Sequence, residues 1–179
     1  EHGTPAWIQG MRMYGWSPDS KYIYFLRNQA GFFSLHCYDV AAGTETAISG
    51  LDDYTFLQQI TVSSTGKIAL IASSSTRTPR VISLEPQTGA VRVHQRTSPE
   101  HIKPERFAMA EAVQWHGEGG EAVHGLYYAP VQHDDTTIAG KPPLVVIIHG
   151  GPTSQATSDY DKDAQFFARC STRHHTKVG

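Results

Sequence analysis

The chain has 179 residues, of which 39% are hydrophobic and 18% charged, and its formal net charge is −2. This balance gives no electrostatic reason to expect a nucleic acid or a membrane surface as partner, and no apolar run approaches the roughly 18 residues that a membrane span needs. Cys37 and Cys170 match no metal or redox spacing, which favours a reducing, cytoplasmic compartment over a disulfide-rich one. The opening Glu1 suggests a fragment that begins inside a longer protein.

A repeat occupies the first hundred residues. The segment Trp16–Phe25 resembles Val62–Ile71, which lies 46 residues later, and the same offset relates Gly43 to Gly89. Each segment places a turn sequence before an apolar strand. A four-stranded unit that repeats at about 40–50 residues is typical of β-propeller blades, although two unrelated meanders in a sandwich would give a similar pattern.

Within each unit, runs of β-branched, aromatic and aliphatic residues predict the strands. The first unit would begin over Ala6–Tyr14. The later strands of the two units are predicted at Tyr22–Leu26, Phe33–Tyr38 and Thr44–Ile48, and at Ile68–Ala72, Arg80–Leu84 and Ala90–His94.

The period stops at Thr97–Arg106, where prolines and charges mark a connector. Two strands are predicted next, Phe107–His116 and Ala122–Tyr128, and the glycine-rich segment between them suits a hairpin turn. We therefore predict propeller blades over residues 1–105 and a second domain over residues 106–179.

The second domain continues with Leu144–Ile148, a short apolar run that predicts a strand buried on both faces. It ends abruptly at the sequence His149-Gly150-Gly151-Pro152. Residues Asp163–Ala168 predict a helix, and its candidate caps are Ser158, Asp159 and Asp161. The order strand, glycine turn and helix is that of α/β proteins.

The glycine turn could carry chemistry. Acyl-transfer enzymes stabilise a developing oxyanion with preorganised N–H donors, and a backbone amide approaches a substrate most easily where no side chain blocks it. Gly150 or Gly151 is therefore a candidate oxyanion donor, and His149 is a candidate substrate-binding residue rather than a catalytic base. A purely structural role, in which the glycines let strand and helix pack closely, stays open.

Three stretches together resemble the prolyl oligopeptidase family of serine peptidases, above all its dipeptidyl-peptidase and acylaminoacyl-peptidase branches. These stretches are Trp16–Lys21, Val123–Pro130 and His149–Ser154. The resemblance extends to about Ala168. It implies a β-propeller followed by an α/β-hydrolase domain, a Ser-His-Asp triad, and hydrolysis of short peptides or release of N-terminal residues and dipeptides.

Two features depart from that family. No Gly-x-Ser-x-Gly occurs in the sequence, so the triad is expected downstream of this chain, and the chain alone is expected to be inactive. Residues 169–179 form an atypical, polar and basic tail without strand character, where the family would have a further apolar strand.

The alternatives are an esterase or lipase-type α/β-hydrolase and a non-catalytic β-propeller binding protein. No cofactor and no metal site are predicted, because the ten histidines are scattered and no His-Glu-x-x-His occurs. The expected partner is a peptide substrate, and the full-length protein could form a homo-oligomer.

Overall fold

The structure is a computed structural model that describes residues 8–131, 144–151, 154–169 and 174–178, the last range by its backbone alone. These residues form three four-stranded sheets, a short 3-10 helix and an α-helix. None of the helices in the described ranges is long and apolar enough to span a membrane.

The first two sheets are antiparallel meanders whose strands neighbour each other in chain order. Sheet one contains β1 (Tyr14–Trp16), β2 (Tyr22–Gln29), β3 (Phe32–Asp39) and β4 (Thr44–Ala47). Sheet two contains β5 (Phe56–Val62), β6 (Ile68–Ser74), β7 (Arg77–Glu85) and β8 (Ala90–Arg96). The two equivalent units confirm the blade prediction, and we call them blade 1 and blade 2.

The turn before β2 shows why this sequence marks a blade. The Ser17 hydroxyl donates to the Asp19 carboxylate at 2.7 Å and accepts the Tyr22 N–H at 2.9 Å. The hydrogen bond from Ser17, together with the Lys21 N–H, lowers the pKa of Asp19. Ser17 therefore has a structural role in the turn.

The blades pack face to face through alternate apolar residues of their strands. Blade 1 contributes Tyr24, Leu26 and Leu35, which are almost fully buried. Blade 2 contributes the equally buried Ile68 and Ile82, among others. One continuous apolar core therefore holds the two units together.

The connector after β8 is anchored to blade 2 by an arginine. Arg80 is only 2% exposed, and its guanidinium pairs with the carboxylate of Glu100 and donates to the Thr78 carbonyl. Arg96 contacts the same carboxylate at 3.1 Å. A buried guanidinium requires such partners, so the connector is part of the blade 2 structure. The 3-10 helix Pro104–Arg106 follows it.

The third sheet has the strand order β11-β12-β10-β9. Strands β9 (Ala110–His116) and β10 (Ala122–Tyr128) form the predicted hairpin. Strands β11 (Leu144–Ile148) and β12 (His174–Val178) are parallel, and the helix α1 (Lys162–Arg169) lies between them in sequence. Parallel neighbours require such a crossover, so this half has the α/β order.

The strand β12 corrects the expectation of a tail without strand character. His174–Val178 pairs with β11 on one side and with β10 on the other. Both edges of this polar segment therefore pair with a neighbouring strand. The hydrogen bonds of this pairing form a strand even though the residues themselves have a weak intrinsic preference for one. Arg169, the first residue of the predicted tail, is the last residue of the helix Lys162–Arg169, and residues 170–173 and 179 lie outside the described residues.

The strand β11 corrects a second expectation, because it is not buried on both faces. Leu144, Val146 and Ile148 are 61%, 47% and 76% exposed, whereas the alternating Val145 and Ile147 are half-buried. The strand lies at the edge of the sheet, and no described residue covers one of its faces. A continuous apolar run therefore does not by itself establish burial on both faces.

Helix α1 begins where the Asp161 carboxylate accepts the N–H groups of Asp163 and Ala164, at 2.9 and 3.1 Å. Asp161 is thus the cap among the three predicted candidates. The helix packs Ala164 and Ala168 against Leu126 and Tyr128 of β10 in a second apolar core.

A buried polar joint connects the blades to the second half of the chain. Gln165 of α1 donates to the carbonyls of Ser75 and Ala108 at 2.7 and 2.8 Å, and its amide oxygen accepts the Ala108 N–H at 2.8 Å. The fully buried Ser158 donates to the Thr55 carbonyl at 2.8 Å. The two halves are therefore fixed to each other by directional bonds as well as by apolar contact.

Candidate functional site

An open cleft of about 670 Å³ lies where blade 1 meets the third sheet. The β9–β10 hairpin forms one wall, and Ser154–Ala156 and the blade 1 turn at Ala30 contribute to the opposite side. His149 lines the cleft directly after β11. Ligands of α/β sheets bind outside the carboxyl ends of parallel strands, and small-molecule sites favour domain boundaries. The cleft lies at the carboxyl end of β11, and both blade 1 and the third sheet contribute to its lining.

His149 is half-buried, and its Nδ1 lies 3.4 Å from the carbonyl oxygen of Gly150. In a neutral ring with a proton on Nδ1, Nε2 remains an acceptor. The structure thus places this predicted substrate-binding residue at a cleft, although its contact with a substrate stays a prediction.

Gly150 and Gly151 follow as an exposed pair. A Cβ built on either glycine would meet no atom of the described residues within 4 Å, so a ligand could approach the backbone of both. Gly151 also has a φ of +78°, a backbone conformation that residues other than glycine rarely adopt. These are properties that an oxyanion turn requires, but the oxyanion role itself stays a prediction. Pro152 and Thr153 of the motif lie outside the described residues.

The sequence reasoning missed Gln114 and His124, which are paired directly across the hairpin and both line the cleft. The predicted hairpin contained the information needed to find this pair. If His116 pairs with Ala122 across the short turn, the antiparallel register places Gln114 opposite His124. No sequence pattern indicates that Ala30 and Gln155 line the cleft, because only the folding of the chain brings the blade 1 turn next to Ser154–Ala156. Asn28 donates to the Gln155 side chain at 2.8 Å there.

The lining of the cleft has no permanently charged side chain among the described residues. None of the described residues that line it is an Asp, Glu, Lys or Arg, and its polar side chains are histidine, glutamine and serine. Across the described ranges, no group of three or more His, Cys, Asp and Glu side chains is arranged to hold a metal ion. The cleft is therefore suited to hydrogen bonding with a neutral ligand.

The second apolar core, beside the cleft, contains a buried tyrosine whose hydroxyl has no hydrogen-bond partner among the described residues. Tyr128 is 1% exposed, and its hydroxyl makes no hydrogen bond to any residue within the described ranges. Burial raises its pKa, and the carboxylates of Asp161 and Asp159 raise it further. The group is thus held neutral and has no role in proton transfer at ordinary pH.

No protein-family model and no curated protein sequence matches the chain. Solved structures do match it. A puromycin-hydrolyzing peptidase of Mycobacterium tuberculosis has a TM-score of 0.86 at 22% identity, over 99% of this chain and 26% of its own. A puromycin hydrolase has a TM-score of 0.83 at 26% identity, over the same shares. The acylaminoacyl peptidase of Pyrococcus horikoshii has a TM-score of 0.65 at 15% identity, over 94% and 24%.

The chain has the fold of one segment of the prolyl oligopeptidase-type structures. Prolyl endopeptidases are among the matching structures as well, and the resemblance inferred from the three motif stretches is confirmed. This prolyl oligopeptidase-type chain spans about a quarter of the length of the structures that it matches. The matched proteins are peptidases and hydrolases, so the likeness to hydrolytic enzymes rests on more than the glycine turn.

Proposed function

We propose that the chain is part of a serine-type peptidase that hydrolyses short peptides or releases N-terminal residues or dipeptides. The carrying observation is the position of His149, which follows the parallel strand β11 and lines the cleft, and which is followed directly by the exposed pair Gly150 and Gly151. In this proposal residues 1–105 belong to a β-propeller and residues 106–179 begin an α/β-hydrolase domain. The likeness to peptidase structures supports both parts.

The proposed chemistry divides between this chain and sequence beyond it. The N–H of Gly150 or Gly151 would donate to the oxyanion that forms when a serine attacks a carbonyl carbon, and His149 would contact the substrate beside it. The 179 residues contain no Gly-x-Ser-x-Gly, so a nucleophile, base and acid would follow downstream. The chain alone should show no turnover of aminoacyl or peptidyl chromogenic substrates.

Two substitutions at one position test the oxyanion role in a protein that carries the downstream sequence. Gly150→Pro removes the N–H, and it should lower kcat by about 100- to 1,000-fold if this amide is the donor. Gly150→Ala keeps the N–H and its Cβ meets no protein atom, so the loss of activity from the added methyl group should be smaller than the loss in Gly150→Pro. Equal activity of the two variants would exclude Gly150 as the donor and leave Gly151.

The substrate class needs a separate assay. Peptide anilides and simple esters of the same acyl group should be compared, together with a serine-directed inhibitor. Peptide hydrolysis that the inhibitor abolishes supports the proposal. Hydrolysis of esters alone would indicate an esterase or lipase-type enzyme, and the absence of any hydrolysis would favour a non-catalytic propeller protein.

A further inference from the structure

We propose that Gln114 and His124 form a subsite that binds an uncharged, hydrogen-bonding part of the peptide, an inference that rests on the proposed peptidase function. The two residues are directly paired across the β9–β10 hairpin, and both line the cleft that His149 also lines. The subsite is thus formed by an element that carries none of the expected oxyanion groups.

The two side chains are available to a ligand. Both are exposed, and neither makes a hydrogen bond to another residue in the described part of the chain. Directly paired residues of an antiparallel ladder have their Cβ atoms about 4.5–5.5 Å apart. One peptide group can therefore reach both side chains at once.

The chemistry of the pair suits an amide. A glutamine carboxamide offers donors and an acceptor, and a neutral imidazole offers one of each, which complements the N–H and C=O of a peptide group or of a carboxamide side chain. The lining offers a charged ligand group no carboxylate, ammonium or guanidinium group as a counter-charge. The subsite should therefore favour a neutral hydrogen-bonding group over an acidic or basic one.

Charge substitution tests this subsite through binding alone. The probes are fluorescein-labelled, amidated tetrapeptides of alanine in which one position at a time is glutamine, lysine or glutamate, and fluorescence anisotropy gives their Kd. The protein should bind a glutamine peptide most tightly. Gln114→Glu should bind the lysine peptide about two- to fivefold more tightly than the unsubstituted protein does, and the glutamate peptide correspondingly less tightly.

The control is Gln95→Glu, which makes the same change at an exposed position of β8 outside the cleft. It should leave the ranking of the peptides unchanged. In a histidine-selective NMR spectrum, peptide binding should shift the resonances of His124 and His149 but not those of His94, which is hydrogen-bonded to Ser83 on blade 2.

The outcomes separate the two proposals. If peptides bind and shift His149, but Gln114→Glu changes no preference and His124 does not respond, the subsite is wrong and the peptidase proposal stands. If the protein binds no peptide of the set, the peptidase proposal loses its support as well. If Gln114→Glu disturbs the fold, His124→Leu, which removes the hydrogen-bonding imidazole, should abolish the preference for the glutamine peptide, and retention of that preference would overturn the subsite.

Discussion

Gln165 should be one of the most costly residues to replace, because one side chain completes the hydrogen bonds of three buried backbone groups. Its amide serves the N–H and C=O of Ala108 and the C=O of Ser75, all at 2.7–2.8 Å, and Gln165 is 2% exposed. Gln165→Leu keeps the volume but leaves these groups without partners. Each buried unsatisfied group costs about 1–3 kcal/mol.

Because water can enter and satisfy part of the loss, we expect Gln165→Leu to lower the free energy of unfolding by about 3–5 kcal/mol. Urea unfolding monitored by circular dichroism measures this change. The matched control is Gln155→Leu, which removes an exposed bond to Asn28 and should cost about 0.5 kcal/mol. If the two variants differ by less than about 1 kcal/mol, the joint does not hold the halves together as argued.

A conservative variant probes the direction of the bonds. Gln165→Glu can still accept the Ala108 N–H, but an ionised carboxylate cannot donate to the two carbonyls. A protonated carboxyl can donate to one of them. The stability of this variant relative to the unsubstituted protein should therefore fall as the pH rises from acid to neutral, and a pH-independent difference would contradict the assignment of donors.

Two further predictions concern single positions. Tyr128→Phe removes a buried hydroxyl that has no partner among the described residues, so it should raise stability by about 1 kcal/mol and Tm by about 2–4 °C. Because burial raises the pKa of Tyr128 in the folded state, folding of the unsubstituted protein is favoured by the neutral phenol below the ordinary pKa of about 10, and stability falls at higher pH as the unfolded chain ionises. Tyr128→Phe should therefore lose less stability than the unsubstituted protein at alkaline pH. An equal loss in thermal melts of the two proteins would count against this reasoning. Gly31→Ala should lower Tm more than Gly66→Ala does. Both glycines have a φ near +85°, but only at Gly31 would the new Cβ meet a backbone atom, the Ala156 carbonyl oxygen at 2.7 Å. Similar losses of Tm in the two variants would show that this close approach is readily relieved.

The strands of both blades follow from the sequence wherever apolar residues alternate and turns are marked, as at Ser17–Asp19 before β2. Strand β5 was not predicted, because Gln59 adopts a φ of +57° at a register shift between Gln58 and Thr61. The shift interrupts the period of two on which the prediction of strands depends.

The second half shows the limits of local pattern more clearly. The polar segment His174–Val178 becomes a strand only because β10 and β11 offer ladder partners on both sides. The exposure of Leu144 and Ile148 depends on the place of β11 in the sheet order, which a five-residue run cannot encode. At the site, the glycine turn was visible in the sequence, but the side of the cleft formed by Ala30 was not.

The polar joint changes what the boundary near residue 105 means in practice. A boundary in the sequence suggests that two pieces could be produced separately. Cutting there would leave Gln165 and Ser158 without Ser75 and Thr55 in one piece, and the blade carbonyls without donors in the other. Each isolated piece would expose these polar groups and the apolar residues packed beside them, such as Phe32 and Ala156, to water. Co-expressed pieces should therefore reassociate, and each should be less stable alone than in the intact chain.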